Sequence, residues 1–544
     1  MTDNPDNHQV IAQYHERTKH RLDGYAKGPG TLDWDAQPDP FRRFDGAELI
    51  SLPLRANQLS VPFAALSSAE PQPIQLLTMD SVAVLLENAL ALSAWKQYGT
   101  ARWSLRVNPS SGNLHPTEAY LIVMGFKALV DGVYHYRADE HALELRCAFD
   151  SARTEPVLYM AFSSVHWREA WKYGERAYRY CQHDVGHAIA AVSYSAAALG
   201  WQVQPQLQIG DDSLSIMLGL DRVEDFADAE REHADLLFAV YPKTQPGGSV
   251  QTDNLLCMVE RGTWFGRANV LDLHHLYEWP LIDEVSQACK RPDSDVSPLL
   301  ARQQTGVPDY SKVEPLFSTE AASSVFHRRR SAQAFDGKTV MPKAAFLRCM
   351  DQLLARRFLP PWSALCWPSR LHLVLFVHRV EGLAPGLYAM PRSTTGADLM
   401  RDAMRPEFQW APVETLPTTL PIYQLFLAKA ERTIAKLSCQ QPIAGDSCFS
   451  VAMLAEFGTT VMNAPYRYRE LFWEAGAIGQ TLYLEAEAAG LRGTGIGCYF
   501  DDAVHELLGL TGTALQSLYH FTVGEPLVDH RIATLPPYTS DQQS

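Results

Sequence analysis

Lys172 and Tyr173 stand side by side, two groups able to give or take protons. Unperturbed, both titrate near about pH 10, so proton transfer at neutral pH requires burial or a neighbouring charge. Upstream, the loop Arg106-Val-Asn-Pro109-Ser110-Ser111-Gly112-Asn113 runs towards an apolar stretch. Its hydroxyls, amide and free backbone N–H groups suit the edge of a planar heterocycle. Arg329, Arg330 and Ser331 follow His327 and Arg328, and such a run suits a phosphate. Guanidinium forks bind its oxygens bidentately, and the hydroxyl adds a donor. Gly493, Gly495 and Gly497 then alternate up to Cys498, which lets backbone approach a flat ligand. This series follows a helix rather than a strand, so it is no dinucleotide-binding fingerprint.

The elements that must position these residues occur twice. Gly186 and Gly476, Gly200 and Gly490, and Gly219 and Gly509 all lie 290 residues apart. Each repeat is expected to open with an amphipathic helix (82–95; 344–356), followed by a strand pair leading to Gly132 or Gly386. A long small-residue helix (186–199; 476–489), a Gly-rich turn, a short helix ending Leu-Gly-Leu and a closing strand (235–241; 518–524) complete it. Repeat two carries an insertion within 409–462 that includes a helical stretch, 425–437. The order predicts an α+β fold of two α/β/α repeats packed as an intramolecular pseudo-dimer through the long helices. The expected division is an arm (1–75), repeat one (76–250), a linker (251–315), repeat two (316–535) and a tail (536–544).

Composition narrows the class. The 544 residues are 46% apolar, enough for large cores, which rules out wholesale disorder. The net charge of −15 and the lack of a basic stripe argue against a nucleic-acid partner. No apolar run is long enough to span a bilayer, and the first 25 residues are polar, so neither membrane insertion nor a secretory leader is expected. Nine cysteines without a Cys-x-x-Cys pair indicate neither a disulfide framework nor a zinc site. The expectation is a cytoplasmic protein in a reducing compartment, without a metal.

As a set, these segments resemble the FMN-dependent nitroreductase superfamily, and more closely its SagB/ThcOx branch of azoline-oxidising dehydrogenases. The residues carrying the resemblance are Arg-x-x-Pro-Ser-Ser-Gly-Asn (106–113), Arg-Arg-Ser (329–331), Lys-Tyr-Gly-x-Arg-Ala-x-Arg-Tyr (172–180) and Gly-x-Gly-Ile-Gly (493–497) ahead of Leu-Gly-Leu. The opening His15-Glu-x-Thr-Lys19 belongs with them. The resemblance implies FMN at an interface between two copies of the fold. Arg329, Arg330 and Ser331, with Arg531 as a late basic residue, would hold its phosphate. Gly495, Gly497 and Cys498 would lie near the flavin N5. Pro109, Ser110, Ser111 and Asn113 would reach across from repeat one. Lys172 and Tyr173 would be the catalytic pair.

The sequence also departs from the family pattern. Gln333 stands where a basic residue is usual, which removes a charge from the phosphate pocket. Repeat one lacks an Arg-Arg-Ser segment and the glycine series, and repeat two lacks the Pro-Ser-Ser loop. The intact pieces therefore imply one composite site per chain. The leading expectation is an FMN oxidoreductase acting on a peptide heterocycle or small metabolite. The alternatives are an NAD(P)H-dependent nitro or quinone reductase, and a flavin- or peptide-binding scaffold without turnover. Because the pseudo-dimer is internal, the chain could act as a monomer.

Overall fold

The computed structural model describes residues 7–68, 72–245, 252–294, 313 and 319–538. Among the described residues, the two largest of its four sheets, one per repeat, are antiparallel and pack against a pair of central helices. In repeat one five strands run in the order Gly132–Arg137, Thr117–Met124, Val157–Ser164, His233–Pro242, Trp201–Pro205. In repeat two the same order is Gly386–Met390, Leu371–Val377, Phe449–Glu456, Leu515–Gly524, Arg492–Ile496. The α+β pseudo-dimer expected from the glycine spacing is the fold observed.

The three glycine pairs have three distinct causes. Gly186 and Gly476 sit where the central helices Ala177–Ala198 and Arg467–Ala488 cross. A Cβ on Gly186 would lie 2.4 Å from the Trp473 carbonyl oxygen, and one on Gly476 would lie 2.3 Å from that of His183. Gly200 and Gly490 turn the chain out of these helices with φ of 73° and 75°. Gly219 and Gly509 cap the following short helices in the left-handed conformation. The ends of the chain tie the repeats together. The helix Asn7–Arg17 lies across both central helices: the Tyr14 hydroxyl donates to the Glu175 carbonyl, and His15 Nδ1 lies 3.3 Å from the Tyr468 hydroxyl. Near the C-terminus, Ala533–Leu535 pairs with the strand Leu92–Tyr98 of repeat one.

Several element boundaries differ from expectation. The first helix of repeat one is Met79–Ala89, started by a Thr78/Ser81 capping box, and does not reach residue 95. Leu92–Tyr98 instead forms a hairpin with Ala101–Arg106, because cross-strand pairing outweighs an apolar pattern that reads equally well as helix. Its counterpart in repeat two, Lys343–Gln352, also stops short of residue 356. The long helices start earlier than residues 186 and 476. The expected Gly-rich turn is the edge strand Arg492–Ile496, paired with Leu515–Gly524. Within 425–437, the strand Tyr423–Leu427 precedes the helix Glu431–Leu437. Of the 251–315 segment, Thr252–Arg261 and Pro280–Ala288 are helical; residues 251, 295–312, 314 and 315 lie outside the described residues. Among the described residues, no helix is long and apolar enough to cross a membrane.

Candidate active site

The phosphate-type segment of repeat two lies against repeat one. Arg329 is buried and donates through Nε to the Val107 carbonyl (2.8 Å) and through Nη2 to that of Arg106 (3.0 Å). Arg330 donates to the Ser93 carbonyl (3.0 Å), also in repeat one. Burial, then Arg330 and Arg492, lowers the Lys96 ammonium, and Arg492 adds to the burial that lowers Arg329 and Arg330. The nearest carboxylate, Glu487, is engaged by Arg328 at 2.8 Å. Several cations and the exposed Ser331 hydroxyl thus gather with little opposing charge, a donor set suited to an anion.

From there a line of phenols leads along the glycine strand. The Tyr483 hydroxyl lies 2.8 Å from Ser331 Oγ and accepts from Gly495 N–H at 3.0 Å. Buried Tyr519 and Tyr180 back Gly495 and Gly497, and a Cβ at either glycine would strike those rings. Tyr180 also donates to the Gly497 carbonyl (3.2 Å), and its ring lies 4.6 Å from that of Tyr173. Gly495, Gly497 and Cys498 are themselves half-buried.

The other end of the band belongs to repeat one. A Cβ on the exposed Gly112 would lie 2.5 Å from the Tyr173 hydroxyl and 3.2 Å from Lys172 Nζ. The 109–113 loop and the Lys172–Tyr173 pair are therefore in contact. Ser111 donates through N–H (3.0 Å) and Oγ (3.0 Å) to Asp184, and Ser110 Oγ accepts from His115 N–H. Asn113 holds the loop to the Ser104 carbonyl. Pro109 is buried beneath it.

Electrostatics separates the roles. Burial lowers the Lys172 ammonium, opposed by Glu169. Burial raises Tyr173 well above its ordinary value, so the phenol is a proton donor at neutral pH, not a second base. Glu169 is raised by burial and by Asp184, and neither of its carboxyl oxygens has a hydrogen-bond partner. Asp184 is raised to about 7 by burial, against the bonds from the serine loop.

Gln333 is exposed, and Arg531 is exposed and paired with Asp529 at 2.7 Å. The other sequence-derived residues fall on the band. Sequence reasoning missed Lys96, Asp184, Glu169, Arg492, Tyr180, Tyr483 and Tyr519. Three of these carried a signal: Tyr180 and Asp184 share a helix face with each other, and Tyr483 shares the face of Gly476. At the pseudo-symmetric position, the edge strand Trp201–Pro205 borders a cavity of about 160 Å³ lined by Gln202, Gln204, Arg357, Trp362 and Trp367. That is smaller than usual ligand pockets of about 300–1,000 Å³.

Comparison with known proteins places this architecture. Residues 74–227 and 327–525 match the Nitroreductase family, together well over half of the chain. The chain belongs to the nitroreductase family, and its fold is that of the family's oxidoreductases. A crystal structure assigned to the nitroreductases from Anabaena variabilis is 20% identical, with a TM-score of 0.65 over 95% of this chain and 99% of that one. The two-repeat arrangement is therefore shared, not only a single repeat. One from Ralstonia eutropha covers 40% of this chain and 98% of its own at 16% identity and a TM-score of 0.27. A chain of the E. coli microcin synthetase McbBCD complex, with truncated pro-MccB17 bound, covers 44% and 93% at 15% identity and a TM-score of 0.26. No curated protein matches significantly.

Proposed function

We propose that the chain is an FMN-dependent oxidoreductase of SagB/ThcOx type, acting on a peptide heterocycle or a small metabolite. The observation that carries this reading is the band itself: Arg329–Ser331 and Gly495–Cys498 of repeat two meet Pro109–Asn113 and Lys172–Tyr173 of repeat one. The donor set suits the cofactor's phosphate. Arg329 and Arg330 donate to backbone carbonyls, Lys96 donates to the Thr534 hydroxyl and Arg492 lies 3.8 Å from Glu487, so positive charge outweighs negative there, and Ser331 is exposed. These residues would hold the phosphate, and Gly495 and Gly497 would border the ring. When bound, FMN supplies a two-electron hydride acceptor.

The chain's own residues handle protons and position. Lys172, made less basic by burial, takes a proton from a substrate carbon beside the 109–113 loop. Tyr173 keeps its proton and donates a hydrogen bond to a substrate heteroatom. Asp184 fixes the loop through Ser111 and thereby sets the distance from substrate to Lys172.

Lys172→Ala tests this reading with two substrates, an azoline-containing peptide and a nitroaromatic with NAD(P)H. The variant is expected to keep its flavin colour and lose azoline oxidation by about 10²–10⁴-fold, the usual worth of general-base help. Equal azoline oxidation by wild type and variant, or nitro reduction as the wild type's sole activity, would contradict it. The second outcome would favour an NAD(P)H-dependent reductase.

A further inference from the structure

Three segments far apart in sequence converge on Cys498. The strand end that carries it is followed by Phe500, whose N–H donates to the Leu437 carbonyl at 2.8 Å. Gln441 Nε2 donates to the Cys498 carbonyl at 3.2 Å. Cys439 lies between Leu437 and Gln441, in the insertion peculiar to repeat two. It and Gln440 hold left-handed backbone, with φ of 51° and 59°, which non-glycine residues seldom adopt. With Leu437 and Gln441 both bonded to the Cys498–Phe500 backbone, this turn sets Cys439 beside Cys498. The third segment is the N-terminal arm. His20 pairs backbone with Phe500, and its Nδ1 accepts the Ala26 N–H at 3.0 Å. The ring proton therefore sits on Nε2, and the backbone pairing with Phe500 keeps His20 near Cys498.

We propose that Cys439 and Cys498 form a redox-active dithiol that exchanges with small-molecule disulfides. The Cys498 thiolate attacks one sulfur of a disulfide RSSR, forming a Cys498–S–SR bond and releasing RS⁻. Cys439 loses its proton to that thiolate or to solvent and attacks the Cys498 sulfur, expelling the second RS⁻. The chain gives up two electrons and gains one internal disulfide, and RSSR becomes two RSH.

The surroundings suit these roles. Cys498 is lowered below an ordinary thiol, first by its neighbour Cys439 and then by His20 and Arg176. Cys439 is raised, first by Cys498. Once Cys498 is in a mixed disulfide, its negative charge is gone and Cys439 is freed to ionise. Both thiols are half-buried, so a small disulfide can reach them. Six other cysteines differ, each raised chiefly by burial. The exchange does not depend on the flavin, so it stands or falls separately from the proposed activity.

The test treats fully reduced protein with oxidised glutathione at about pH 7, then maps thiols by alkylation and peptide mass spectrometry. The expected product is a Cys439–Cys498 disulfide, with half-buried Cys257 still largely reduced. Cys439→Ser should stop at a glutathione adduct on Cys498. Should that variant misfold by circular dichroism, the wild-type map decides alone. A Cys498 that stays reduced, or glutathione distributed equally over Cys257 and Cys498, overturns the proposal.

Discussion

Gly476 packs directly on Gly186 across the centre of the molecule, so closely that a Cβ on Gly476 would lie 2.8 Å from the Gly186 Cα. Backbone meets backbone there, with no flexible side chain able to yield. The contact sets the spacing of the two central helices. It thereby sets the distance between Tyr180 and Asp184, carried by one helix, and Tyr483, carried by the other.

Gly476→Ala should therefore lower stability by about 1–3 kcal/mol, the usual cost of overpacking, despite alanine's better helix propensity. Thermal unfolding compared with wild type measures it. An unchanged or raised Tm would mean that the helices part easily.

Arg329→Ala should weaken FMN binding about 10- to 100-fold, since a charge-assisted hydrogen bond is worth about 1.5–3 kcal/mol. It should also lower Tm, because the Arg106 and Val107 carbonyls lose their donor. Arg329→Lys should restore part of the binding but not the fork to both carbonyls. Fluorescence titration with FMN reads the first effect and calorimetry the second. Full flavin affinity in Arg329→Ala would remove Arg329 from the phosphate site.

Asp184 keeps its proton to about pH 7 in the folded chain, against an ordinary 3.8. Between those values the folded state holds a proton that the unfolded state has lost. Stability from this group is therefore present at low pH and falls as pH rises towards 7, by about 1.4 kcal/mol per pH unit. Asp184→Asn retains an acceptor for Ser111 and removes this slope. Urea unfolding between about pH 4.5 and 7 should show the variant gaining on wild type as pH rises. Parallel curves would show that Asp184 ionises normally.

The repeat was legible in the sequence because its markers answer backbone demands. A helix crossing without room for a Cβ and two left-handed turns per repeat admit little but glycine, so the spacing survives where other residues have diverged. The motif residues were legible for their chemistry, and all but Gln333 and Arg531 fall on the band. The glycine series read as a turn because glycine lowers strand propensity, yet its pairing with Leu515–Gly524 makes it an edge strand. Lys96 was hidden because a lysine in an amphipathic run carries no mark of the strand that places it near Arg330. The roles of Tyr483 and Tyr519 depend on side chains arriving from other elements, which no local pattern encodes. Tyr173 reads as able to give or take a proton until its burial is known, and that burial makes it a donor at neutral pH.

The central claim is one flavin site per chain, assembled from complementary halves of two repeats. Repeat two lacks the Pro-Ser-Ser loop, and repeat one lacks the Arg-Arg-Ser segment and the glycine series. The most direct test is the flavin content of protein purified and reconstituted with excess FMN, measured by absorbance after denaturation and divided by chain concentration. The account predicts one FMN per chain. Two per chain would mean that both symmetry-related sites remain intact, and a chain that stays colourless in excess FMN would contradict the composite site itself.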